Sequence, residues 1–233
     1  MTSQRLIAVG DIHGSSHQLD ALLDAIQPSA ADTLVFLGDY VDRGPDSRGV
    51  LDRLIQLKGK FHVIFLLGNH ELMMLRARDS DAAKRLWLNV GGLQALASYG
   101  NAPGRSGRMA DIPEAHWHFL ETDCVDWLET DDFLFVHAGV ESGLMMDKQT
   151  ESALFWEFLD PAKPMHHFSG KTVICGHSSQ KSGQILDLGS TICLDTYAYG
   201  GGHLSALDCL TGATWQADLL GRVTLGQLRP TGK

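Results

Sequence analysis

The sequence predicts an α/β fold in which two β-sheets pack face to face and carry helices on their outer surfaces. Three observations predict it. Through the N-terminal third, short apolar runs ending in glycine alternate with segments of helical period, the rhythm of β-α-β units around a parallel sheet. The C-terminal third changes to short β-rich runs set apart by glycine turns, which implies antiparallel pairing. With 233 residues and 44% hydrophobic content, the chain can build one large α/β domain but not two ordinary domains and a linker. A single domain over residues 1–233 is therefore expected.

The first strand is the apolar run 6–9, and after it Leu19, Leu22, Leu23 and Ile26 recur at helical spacing until Pro28 stops the helix. The run 33–37 is the second strand. Pro45-Asp-Ser47 then starts a helix carrying Val50, Leu51, Leu54, Ile55 and Leu57, which Gly59 ends. The unit repeats with a strand over 63–67 and a helix over about 71–78. From about 79 to 130 the rhythm breaks, and a helical insertion is predicted, with Trp87, Trp117 and Trp127 around a polar loop over 101–108. The insertion is a candidate lid, though large aromatics mostly pack, so the tryptophans should lie on the sheet. The runs 184–188, 190–195, 203–208 and 214–217, separated by Gly189, Gly200-Gly-Gly202 and Thr211-Gly212, predict a second, mostly antiparallel sheet packed on the first.

Composition excludes several classes. A net charge of −9 is far from the basic surplus that phosphate-backbone binding needs, so no nucleic-acid scaffold role is expected. No stretch approaches the eighteen or so apolar residues of a membrane helix, and the run at 6–9 is too short for a signal-peptide core. A cytoplasmic protein with no membrane partner is expected. Cys124, Cys175, Cys193 and Cys209 show no Cys-x-x-Cys pair and are expected to be reduced packing residues.

The functional signal is where the apolar runs stop. Five of them end at residues that can hold a metal or a phosphate: Gly-Asp11-Ile-His13-Gly, Gly-Asp39-Tyr-Val-Asp42-Arg43-Gly, Gly-Asn69-His70-Glu71, His137-Ala-Gly and Gly-His177. In open sheets of helix-connected strands, ligands gather at the carboxyl ends of the strands, so all five clusters should converge on one edge of one sheet. Asp11, His13, Asp39, Asn69, His137 and His177 make six mixed N/O ligands, too many for one tetrahedral ion and suited to two ions sharing a bridge. No thiolate is among them, which argues for catalytic rather than structural metal. Gly10, Gly38, Gly68 and Gly176 would let the backbone turn tightly and approach the ions. Arg43 offers a planar fork matched to phosphate oxygens, its bland alternative being a surface ion pair with Asp42 or Asp46.

In that order and over about three quarters of the chain, the five blocks resemble the phosphoprotein phosphatase branch of the calcineurin-like metallophosphoesterases, bacterial or phage type. The segment 87–100, with Gly91, Gly92 and Tyr99, is similar to one in bacterial members that include the symmetrical dinucleoside tetraphosphatases. The resemblance implies a four-layer α-β-β-α sandwich and two divalent ions clamping the phosphate around a bridging water nucleophile. Asp11, His13 and Asp39 would hold the first ion, and Asp39, Asn69, His137 and His177 the second, with Asp39 bridging. Manganese is the first choice, and iron or zinc would satisfy the same donors. Family geometry makes His70 the proton donor to the leaving group, oriented by Asp42, which would raise its pKa. Glu71 is expected only to cap its helix, and His203 is a candidate rim contact. Arg43 and Asn69 would bind the substrate phosphate.

One departure stands out. Members of this branch carry a second phosphate-gripping arginine before the last histidine ligand, where this chain reads Phe155-Trp-Glu157-Phe-Leu. Arg105, Arg108, Lys163 and Lys181 are the candidate replacements. The function expected from the whole is a phosphomonoesterase acting on phosphoserine or phosphothreonine proteins, and on phosphotyrosine, or on small phosphoesters. The alternative is a symmetrical dinucleoside tetraphosphatase. A metal-free binding scaffold on the same fold is the remote third reading.

Overall fold

The structure, a computed structural model, describes residues 4–100 and 105–228. Residues 101–104 of the expected polar loop lie outside them. Two mixed sheets form the centre. In the larger, β1 (Leu6–Val9), β2 (Thr33–Phe36), β3 (His62–Leu66) and β4 (Cys124–Val125) run parallel, and β10 (Leu204–Asp208), β11 (Ala213–Ala217) and β12 (Val223–Gln227) add antiparallel strands beyond β1. In the smaller, β5 (Trp127–Glu129) is antiparallel to β6 (Phe133–Val136). Next to β6 follow β7 (Thr172–Cys175) and β9 (Thr191–Cys193), all three parallel, and β8 (Leu186–Asp187) closes the far edge.

Strand alternation sorts the core into three layers of packing. Ile7, Val9, Leu34 and Phe36 face outward onto helices α1 (Ser16–Ile26) and α2 (Ser47–Lys58). Ala8, Val35 and Leu37 face inward, against Phe133, Phe135, Ile174 and Ile192 of the smaller sheet. On the other side of that sheet Leu134, Val136, Val173 and Cys175 pack on Leu154 and Phe155 of α7 (Glu151–Phe155). The four-layer α-β-β-α sandwich is thus present, and each fully buried large apolar side chain contributes about 1.5–3 kcal/mol to it. Helix starts follow the sequence: the Asp46 carboxylate accepts from Gly49 N–H at 2.9 Å to cap α2.

Three expectations change. The ligand-bearing strands do not share one sheet: β1, β2 and β3 belong to the larger and β6 and β7 to the smaller. Their ends still meet, because the sheets are stacked. The C-terminal third is not one antiparallel sheet either. Its glycine turns pair β8 with β9, β10 with β11 and β11 with β12, while the passage through Tyr197 and Gly202 carries the chain from the smaller sheet to the larger. Between 79 and 130, helices α4 (Asp81–Trp87), α5 (Leu93–Ser98) and α6 (Glu114–His118) are followed by strands β4 and β5, so that stretch also contributes an edge to each sheet. Among the described residues no disulfide forms, and Cys175, Cys193 and Cys209 are buried. No described helix is long and apolar enough to cross a membrane.

Candidate metal centre

The turns after β1, β2, β3, β6 and β7 bring Asp11, His13, Asp39, Asp42, Arg43, Asn69, His70, His137 and His177 into one connected cluster. They do so through left-handed backbone. Among the described residues seven non-glycine positions have positive φ, and five are His13, Asp39, Asp42, Arg43 and His177. Such conformations cost on the order of 1 kcal/mol or more each and persist only where surroundings enforce them. At Asp39 helix α3 (Asn69–Asp79) supplies the enforcement. Both oxygens of the buried Glu71 carboxylate accept backbone N–H groups, Oε2 from Asp39 (2.8 Å) and Gly68 (2.9 Å), Oε1 from Tyr40 (2.8 Å) and Val41 (3.1 Å). Glu71 does cap its helix, through Gly68, and it also pins the turn that carries Asp39. Burial pushes its carboxyl up to about 8, with those N–H groups pulling the other way.

The ligand atoms crowd together. His13 Nε2 lies 3.2 Å from Asp39 Oδ2, and His137 Nε2 lies 3.3 Å from Asp39 Oδ1. The Asn69 carboxamide oxygen is 3.1 Å from His137 Nε2 and 3.2 Å from His177 Nδ1. His13 Nδ1 sits 2.9 Å from the Val41 carbonyl and His137 Nδ1 2.8 Å from that of Leu37. These carbonyls can accept the Nδ1 hydrogen, and a ring left neutral at Nε2 then aims its lone pair at the Asp39 carboxylate. Lone pairs converging on a carboxylate repel unless a cation lies among them. Asp11 points the same way: Oδ2 accepts His177 N–H at 3.0 Å, while the buried Oδ1 has no hydrogen-bond partner among the described residues. Burial, then the Asp195 and Asp39 carboxylates, push its pKa well up. A Cβ on Gly176 would come within 1.9 Å of that Oδ1, so only glycine permits this approach. The donor set therefore fits divalent cations. Two groups gather within 4.8 Å, His13 with Asp39 and His70, and Asp39 with His137 and His177. Asp39 belongs to both, His70 stands beside His13 and Asp39 in the first, and Asp11 meets the cluster through His177 with its Oδ1 unpartnered among the described residues.

His70 and Asp42 form the expected pair, Nδ1 to Oδ2 at 2.7 Å, both buried. The Asp42 carboxylate also accepts Trp87 Nε1–H, at 3.0 and 2.8 Å, so this tryptophan packs as expected and also fixes the pair. The expected rise in the His70 pKa is reversed. Burial lowers the imidazole to about 3 and raises the Asp42 carboxyl to about 8.

Arg43 forms no ion pair with Asp42 or Asp46. Its Nη1 donates to the Tyr199 hydroxyl at 3.0 Å. A cleft of about 340 Å³ opens beside it, lined by Asp39, Arg43, Asn69, Phe158, His177 and Lys181 among others. Of the four replacement cations, Lys181 alone lines this cleft among the described residues. Arg108 instead pairs with Asp111 on the surface. His203 turns to the Gly183 carbonyl, outside the lining. Tyr199 and Phe158 carry no motif that would have revealed them, and Glu71 stood within a quoted block without a sign of its second task.

Strand-end carboxylates and imidazoles on an α-β-β-α sandwich define a metal-dependent phosphoesterase fold. The chain belongs to the calcineurin-like phosphoesterase family, whose profile matches residues 4–203. Curated relatives include a symmetrical bis(5'-nucleosyl)-tetraphosphatase of Janthinobacterium sp. (strain Marseille), 34% identical over 57% of this chain and 43% of its own length. Another, of Burkholderia pseudomallei (strain 668), is 30% identical over 66% of this chain and 46% of its own. The chain thus spans under half the length of these relatives. Among solved structures, one presented as a candidate diadenosine tetraphosphatase aligns with a TM-score of 0.64 and 24% identity over 97% of this chain and 94% of that one. A cold-active protein tyrosine phosphatase aligns at 0.59 and 19% over 100% and 83%. At these identities both show the shared fold.

Proposed function

We propose that this chain is a two-metal phosphoesterase in which Asp11, His13, Asp39, Asn69, His137 and His177 hold the ions, manganese first and iron or zinc next. The observation that carries this reading is the position of Asp39, common to both ligand groups. When bound, the ions would supply Lewis acidity and an activated water to the phosphoryl group. The chain's own residues do the rest: Arg43 and the Asn69 amide grip phosphate oxygens, and His70, held by Asp42 and Trp87, gives the leaving oxygen its proton.

For the substrate we propose a dinucleoside tetraphosphate, supported by what the curated relatives are named for and by a second cation, Lys181, in the cleft with Arg43. Phosphoseryl, phosphothreonyl or phosphotyrosyl protein is the second reading. It is favoured by Arg43 being the one guanidinium among the described lining residues, enough for a single phosphoryl group. Turnover of diadenosine tetraphosphate and of phosphoseryl and phosphotyrosyl peptides, side by side with manganese, tests this. A kcat/KM at least tenfold higher on the dinucleotide supports the first reading, and the reverse order replaces it with the second. Turnover of none of them would defeat the phosphoesterase assignment.

A further inference from the structure

The ring of Phe158 is 76% exposed, yet it stacks on the His177 imidazole with centroids 4.7 Å apart and planes 25° from parallel. One face of the ring is covered by His177, the rest of the side chain is exposed, and Phe158 lines the cleft. The loop holding it is anchored at both sides: the Trp156 carbonyl lies 3.3 Å from His177 Nε2, and Leu159 N–H donates to Ser178 Oγ at 2.7 Å. An exposed phenyl fixed beside a cleft of about 340 Å³ is a platform for a flat apolar group. Lys181 lines the same cleft and makes no ion pair among the described residues.

We propose that Phe158 and Lys181 form a second subsite that holds the nucleoside end of a nucleoside polyphosphate, the base on the open face of Phe158 and the next phosphate on the Lys181 ammonium. This deepens the nucleotide reading above and rests on it. Either feature alone would suit other ligands. An aryl monophosphate such as phosphotyrosine would use the ring and leave the second cation idle, and inorganic polyphosphate would use the cation and leave the ring idle. A nucleoside polyphosphate uses both.

Base–aromatic stacking is worth roughly 1–3 kcal/mol, or about 5- to 150-fold. In the manganese-loaded protein, Phe158→Ala and Lys181→Ala should each lower the ratio of kcat/KM on diadenosine tetraphosphate to that on ethyl phosphate by about fivefold or more. Calorimetric binding of ADP should weaken by a similar factor, while binding of inorganic phosphate changes less. The ADP titration separates this inference from the broader one. A parent that prefers phosphopeptides but binds ADP through both residues keeps the subsite and loses the dinucleotide substrate. A parent that does not bind ADP, or variants that bind it as the parent does, overturns the subsite. If Phe158→Ala selectively impairs phosphotyrosyl peptide and leaves ADP untouched, the platform serves an aryl phosphate and the proposal is wrong.

Discussion

Arg43 leans across Tyr199, with Nη1 donating to the phenol oxygen at 3.0 Å and the guanidinium carbon 5.0 Å from the ring centre. The two carboxylates that might have neutralised it are engaged elsewhere: Asp42 with His70 and Trp87, Asp46 with Ser16 and the start of α2. A guanidinium steadied by a neutral partner keeps its charge for a phosphate. A charge-assisted contact is worth roughly 1.5–3 kcal/mol, so Arg43→Ala should cut kcat/KM by about 10- to 150-fold. Tyr199→Phe keeps the ring and should cost only a few-fold. An Arg43→Ala enzyme within about twofold of the parent, under roughly 0.5 kcal/mol, would remove Arg43 from phosphate binding.

The His70, Asp42 and Trp87 chain predicts a leaving-group effect. His70→Ala should slow alkyl phosphates by about 10²- to 10⁴-fold while hurting an activated aryl phosphate far less. Trp87→Phe removes both indole contacts to Asp42 and should show the same leaving-group dependence in weaker form, with metal content unchanged. Equal losses on both substrates would take the proton donor out of the mechanism.

Glu71 is the structural keystone of the β2 turn. Glu71→Gln places amide hydrogens against backbone N–H groups, and each unmet buried group costs about 1–3 kcal/mol. The variant should melt roughly 5–10 °C lower and bind metal less tightly. An unchanged Tm would show that the four N–H contacts are dispensable.

Away from the site, Asp32 accepts from Arg5 Nε at 3.0 Å and from Ser29 N–H at 2.7 Å. The Arg5 hydrogen bond, against some loss from burial, holds its carboxyl well below the usual carboxylate range. A depressed folded pKa stabilises above the unfolded value of about 3.9 and is lost as pH falls through the folded one. Asp32→Asn should therefore unfold more easily in urea at pH 7, and the gap to the parent should shrink below about pH 4. A gap independent of pH would refute the charge assignment.

Much of this was legible in the chain because it is local. A glycine after an apolar run, followed by Asp, Asn or His, marks a strand end and a candidate ligand together at Asp11, Asp39, Asn69 and His177, and His137 follows its apolar run directly. Sheet membership was not legible. Whether β9 pairs with β7 or with β10 depends on partners distant in sequence, and glycine turns speak only for neighbours. The same limit hid Tyr199 and Phe158, which reach the site by packing, and the second role of Glu71, which is written in backbone N–H groups. Lys181 was visible only as one of four cations until the cleft selected it.

In the proposed site two ions share Asp39. Metal content per chain by mass spectrometry, measured on the purified, fully active protein and on Asp39→Asn, tests it most directly. The account predicts about two divalent ions in the parent, and loss of most metal and nearly all turnover in the variant. One ion or none at full activity, or an Asp39→Asn protein that keeps both ions, would contradict it.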